Sequence, residues 1–163
     1  MSLYHHVRDR DDLIDALLEA VADGLPDIPM QSDPIEELMS VFSGIYETFR
    51  KDPWVAKCLM GGHPGSTKAD PLIERAVIAL EKLGMQGTEA GYAFGTLLHY
   101  TYGEVIVIDA LERGLYSEVQ YDELKFPAIA RTIGQIDHRF LDAEPYYCSL
   151  RMVLSGYDRR QSH

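Results

Sequence analysis

Apolar residues recur along this chain at intervals of three and four, and strand-like alternation is nearly absent. Leu13, Ala16, Leu17, Ala20 and Val21 follow the spacing of an amphipathic helix, with Asp9 and Asp12 placed as a cap and its N3 partner. Gly24 and Pro26 stop it. Asp33-Pro34-Ile35-Glu36 then supplies a cap, a proline at the first helical position and a carboxylate at N3, opening a helix whose apolar face is Leu38, Val41, Phe42, Ile45 and Phe49. Pro53 ends or kinks it. A short helix with Trp54, Val55, Cys58 and Leu59 follows before Gly61-Gly62, and Asp70-Pro71 starts another with Ile73, Val77, Leu80 and Leu83 inward and Gly84 as its stop.

From about Thr88 to Arg113 the chain is apolar nearly all round, which predicts a helix buried on most sides. Residues 91–108 approach membrane-spanning length and contain a GxxxG match, Gly91 to Gly95. Glu104 within that run would cost roughly 3 kcal/mol at mid-bilayer, and no basic residue flanks its N-terminal end, so a central helix of a bundle is the better reading. A shorter helix from Phe126-Pro127 to about Ile133 comes next. The last helix follows Pro145, with Tyr146, Tyr147, Leu150, Val153, Leu154 and Tyr157 as its stripe. About seven helices with no repeat predict an all-α, single-domain chain.

Composition narrows the function. At 163 residues and 46% apolar the chain buries one substantial core. Its formal net charge of −11 opposes strong nucleic-acid binding by the chain as it stands, whereas the first ten residues are locally positive, with Arg8 and Arg10 against Asp9. Cys58 and Cys148 lie far apart without CxxC spacing, and no targeting segment is recognisable, which points to the cytoplasm.

Candidate chemistry is sparse. GGHPGSTK at 61–68 superficially suggests a phosphate loop, but the order is Ser-Thr-Lys and a helix precedes it, so an inter-helix loop is expected. Six histidines show no metal-ligand spacing, no cofactor motif occurs, and no nucleophile elbow or carboxylate pair supports an enzyme. Aromatic and polar side chains set inside apolar helices are the informative feature. Tyr46, Trp54, His63, Phe94, Leu98 and Tyr102 are the candidates to line a small-molecule cavity, apolar walls with a few placed polar groups being what such sites need.

SLYHHVRDRDDLIDAL, at residues 2–17, resembles the end of the DNA-binding region of tetracycline-repressor-type (TetR family) regulators. There a recognition helix ends in a Leu-Tyr-x-His-Val/Phe run, followed by a turn, a basic and an acidic residue, and a linking helix. Leu3, Tyr4, His6 and Val7 match the run, Arg10 the basic position and Leu13 the linking helix. Residues 98–105, LHYTYGEV, are similar to the central helix of tetracycline repressors, and 146–156, YYCSLRMVLSG, to the last helix of the family, with Cys148 and Ser149 departing from the usual Phe and Gly.

The resemblance implies a TetR-like C-terminal regulatory bundle at residues 9–163, preceded at 1–8 by a helix-turn-helix remnant, with Tyr4, His5, His6 and the adjoining Arg10 facing DNA. It implies a repressor that releases DNA when a small-molecule inducer binds, and a homodimer whose central and last helices form a four-helix interface through Val105, Ile108, Tyr146, Leu150, Val153, Leu154 and Tyr157. Family members carry the first helices of the helix-turn-helix before this point, so DNA binding is expected only of the intact protein. The rival reading is a helical small-molecule-binding or interaction module unrelated to DNA.

Overall fold

The computed structural model describes residues 9–115, 122–133 and 143–158. Seven α-helices run through them: α1 (Arg10–Asp23), α2 (Pro34–Lys51), α3 (Pro53–Met60), α4 (Asp70–Lys82), α5 (Thr88–Glu112), α6 (Pro127–Ile133) and α7 (Glu144–Asp158). A 3-10 turn over Thr67–Ala69 leads into α4, and no strand occurs among the described residues.

Local chemistry sets the boundaries. The carboxylate of Asp9 accepts from the Asp12 amide at 2.9 Å, and that of Asp33 from the Glu36 amide at 2.9 Å, each satisfying a donor that helix geometry leaves orphaned. Pro34, Pro53 and Pro71 all stand in the first turn of their helices, where a missing N–H costs nothing. Gly84, with φ of 82°, turns the chain out of α4 in a conformation other residues avoid.

The α2 helix is the axis of the packing. It lies against α4, α5, α7 and α3, and α5 also packs on α3 and α4. Leu38, Val41, Phe42 and Tyr46 on α2 are sealed from solvent, as are Leu80 on α4, Leu97 and Val105 on α5, and Tyr146, Leu150 and Leu154 on α7. The connector after α1 crosses α2 at Gly44, where an added Cβ would fall 2.2 Å from the Ile28 side chain and force its tip to move. Glu37 anchors the same connector. Its carboxylate accepts from Arg75 Nε and from the Gln31 amide, each at 2.6 Å, and Arg75 also donates to the Ile28 carbonyl.

Three helices depart in part from the faces expected of them. On α1, Leu18 is buried and Ile14 and Val21 are packed against the core, whereas Leu17 is 45% exposed and Leu13 also faces solvent. The inward stripe is rotated by about one residue, because α1 carries two apolar stripes side by side. At α4, Leu80 and Leu83 are buried as expected, Ala76 and Ala79 pack inward with them, and Ile73 is exposed. The α5 helix buries one side only, and its other side presents Tyr92, His99 and Val107 to solvent.

Candidate functional site

A cavity of about 350 Å³ opens between α1, the paired helices α2 and α5, and the segment from α3 into α4. Leu18, Val21 and Ala22 form its α1 wall. Ile45 and Phe49 reach it from α2, and Val55 and Leu59 from α3; Phe94, Leu98, His99 and Tyr102 come from α5. His63, Ser66 and Ala69, in the loop and turn before α4, complete it with Leu72. No Asp, Glu, Lys or Arg lines the space.

Polar groups in this wall are few. Tyr102 is 7% exposed, its ring tilts against Phe49 with centroids 5.5 Å apart, and its hydroxyl has no hydrogen-bond partner among the described residues. Burial pushes that hydroxyl up to about 12, so it is a neutral donor throughout the physiological range. His63 is half-buried and His99 exposed, which places both imidazoles toward the outer part of the wall. The Ser66 oxygen accepts from the Lys68 amide at 3.2 Å and so caps the turn.

Of the six residues expected to line a cavity, the structure brings His63, Phe94, Leu98 and Tyr102 together around one space. Tyr46 and Trp54 stand elsewhere. Tyr46 follows Ile45 by one residue, about 100° around α2, and therefore points toward α7, where it stacks on Tyr146 at 3.9 Å. Trp54 donates from its indole to Asp52 at 3.2 Å, while its neighbour Val55 reaches the cavity. On α1 the periodicity singles out Val21 but neither Leu18 nor Ala22, and Leu25 lies beyond the Gly24 cap. The 61–68 loop makes no phosphate cradle, since Lys68 turns away to pair with Asp23 of α1 at 2.5 Å.

Behind the cavity, on the α7 side, lies an aromatic ladder. Tyr146 is sandwiched between Tyr46 and Tyr100, near-parallel to both, and its hydroxyl donates to the Phe42 carbonyl at 3.0 Å and meets the Thr101 hydroxyl at 2.9 Å. The α5 C-terminal end is fixed to α3 by Lys57 and Asp109, 2.5 Å apart, with Arg113 on the other carboxylate oxygen. The Lys57 hydrogen bond, with help from Arg113, holds Asp109 below the usual carboxylate range.

No protein-family model matches the sequence, and no curated protein matches it either. Solved structures do match. A structural-genomics crystal structure of a candidate transcriptional regulator from Streptomyces coelicolor A3(2) superposes with a TM-score of 0.74 at 19% identity, covering 97% of this chain and 80% of that one. A TetR transcriptional regulator from Streptomyces coelicolor superposes with a TM-score of 0.64 at 18% identity, covering 97% and 81%. The fold is all-α and TetR-like.

Within this TetR-like fold the central and last helices correspond to α5 and α7, but the residues expected to meet a second copy are mostly turned inward. Val105, Ile108, Tyr146, Leu150 and Leu154 are closed off inside the chain, and Val153 and Tyr157 are half-buried. The periodicity picked out the face of each helix that packs within the chain. The opposite faces are more open: Tyr92, 75% exposed, with Val107 and a half-buried Gly103 on α5, and Cys148, Met152 and Gly156 on α7. Tyr4, His5 and His6 lie outside the described residues, and Arg10 is exposed at the first position of α1. Among the described residues, no three metal-ligating side chains gather, and no helix is long and apolar enough to cross a membrane.

Proposed function

We propose that residues 9–163 are the effector-binding and dimerisation part of a TetR-type transcriptional repressor, which lets go of DNA when a small molecule enters the cavity, residues 1–8 being the end of its recognition helix. One observation carries this reading. The α1 helix is at once a wall of the cavity and the continuation of the chain that bears Tyr4, His5 and His6, with Arg10 at its start. Only Leu18 of α1 is fully buried, and the helix touches the rest of the described chain chiefly at the turn before α4. A molecule under α1 therefore biases the position of that helix more readily than it repacks the core. Its differential affinity for the two positions is the coupling.

The partners on this reading are a second copy of the chain, a small-molecule effector and, for the intact protein, DNA, all met in the cytoplasm. The second copy packs on the open faces of α5 and α7, where Gly103 and Gly156 have nothing within reach of an added Cβ and leave room for close helix approach.

Spin labels placed by Arg10→Cys in a Cys58→Ser, Cys148→Ser background test both parts by electron–electron distance measurement. A dimer gives one inter-label distance, and the cavity-filling Ala69→Phe shifts it. Absence of dipolar coupling sinks the dimer, and an unshifted distance in the filled variant sinks the coupling through α1.

A further inference from the structure

The wall of the cavity also says what kind of molecule fits it. We infer that it takes an uncharged, largely apolar molecule of about two fused rings carrying one hydrogen-bond acceptor for the hydroxyl of Tyr102; this rests on the effector-site reading above.

Three observations lead there. The size is the first: an apolar cavity of ~150 Å³ holds a benzene, so about 350 Å³ suits a molecule somewhat more than twice that volume. Charge is the second. An anion would leave water, approach a chain of net charge −11 and find no Lys or Arg in the wall; a cation would be drawn by the same field and find no carboxylate. Either ion loses hydration with only His63, Ser66, His99 and Tyr102 to replace it, whereas a neutral molecule loses little.

The third is Tyr102 itself. A tyrosine this buried ordinarily has a partner for its hydroxyl, because an unpaired one forfeits a hydrogen bond to water. Tyr146, on the far side of α5, follows that rule with the Phe42 carbonyl and Thr101; the hydroxyl of Tyr46 beside it is sealed in without a partner among the described residues, and that of Tyr102 differs in being reachable from the cavity. Tyr102 lacks one among the described residues and lines the cavity, so its O–H is a donor kept for whatever enters. A carbonyl, ether or ring nitrogen set against apolar rings is the complement. Phe49 and Phe94 supply the aromatic surface on which such rings rest.

Four probes of matched size separate the possibilities: 2-acetylnaphthalene, 2-isopropenylnaphthalene, 2-naphthoate and 2-naphthylmethylammonium, titrated calorimetrically at neutral pH into the full chain. The acetyl compound should bind tightest, the two ions more than about tenfold weaker. Tyr102→Phe should erase an acetyl-over-isopropenyl preference of about five- to tenfold and leave the hydrocarbon's affinity unchanged. An ion binding tightest overturns the ligand class while leaving the effector site standing. An acetyl preference that survives Tyr102→Phe overturns the role of that hydroxyl. No binding by any probe, or binding unaltered by the cavity-filling Leu98→Trp, overturns both this inference and the effector-site reading.

Discussion

The two sides of α2 are built on different principles. Toward α7 it is closed: Tyr46, Tyr146 and Tyr100 stack in register, the Tyr146 hydroxyl is held by Phe42 and Thr101, and Leu150 and Leu154 are completely covered. Toward α1 the same helix faces open space, with Ile45 and Phe49 on a cavity whose far wall is a thinly packed helix. A close-packed interior resists small displacements, and a wall that already borders a void does not. The closed side therefore serves as a frame, and the open side is the part that a bound molecule can move.

The sharpest way to break this contrast is to remove one large side chain from each face. Tyr146→Ala should cost about 3 to 5 kcal/mol in urea unfolding, since it leaves a ring-sized hole between two stacked tyrosines and strips Phe42 and Thr101 of a partner. Leu59→Ala, in the cavity wall, should cost under about 2 kcal/mol, because the site already adjoins empty space and the atoms it loses have few neighbours. Equal costs would mean that the two sides are packed alike.

A charged tie between α2, α4 and the connector after α1 offers a second test. Arg75→Ala leaves the Glu37 carboxylate buried with only the Gln31 amide, at a cost of about 1 to 3 kcal/mol after allowance for solvent screening of a partly exposed guanidinium. Burial alone would raise Glu37, but the hydrogen bonds from Arg75 and Gln31 outweigh it and hold the group below the ordinary carboxylate value of 4.5. A depressed pKa contributes stability that is fully present above the unfolded value and is lost as pH falls through the folded one. The stability gap between wild type and Arg75→Ala should thus be widest near neutrality and close in acid. A gap that stays constant down to the acid limb would show that Arg75 acts through packing alone.

The elements themselves were readable because their ends carry local chemistry. Asp9 and Asp33 cap as their spacing implies, and Pro34, Pro53 and Pro71 each open a helix. The stripe of α2, Leu38 through Phe49, is buried as its period predicts, because only one side of that helix is continuously apolar. What periodicity does not encode is which neighbour a face meets. On α1, two adjacent stripes compete and Leu18 rather than Leu17 goes inward; on α5 and α7, apolar residues on both sides left the core-facing set, Val105 and Tyr146 among them, indistinguishable from a set facing a second copy. Tyr46 and Ile45 show the same limit at a single step, one residue dividing the ladder from the cavity. The crossing at Gly44 had no signal at all, since it depends on where Ile28 lands after a loop.

The smallest expected effect sharpens the comparison most, because it concerns motion rather than stability. Lys68, in the turn before α4, pairs with Asp23 near the end of α1, and Asp23 holds the ammonium charged by a direct hydrogen bond. Both groups are exposed, so Lys68→Ala should leave the unfolding midpoint nearly unchanged. The pair nonetheless spans the one segment against which α1 chiefly rests. Amide exchange in the variant should quicken over residues 14–23 and stay at its wild-type rate over α2 and α5, since local opening is set by the few contacts a segment breaks rather than by global stability. Exchange that quickens evenly across the chain would mean that α1 opens only when the whole bundle does, and the division into a frame and a yielding wall would not hold.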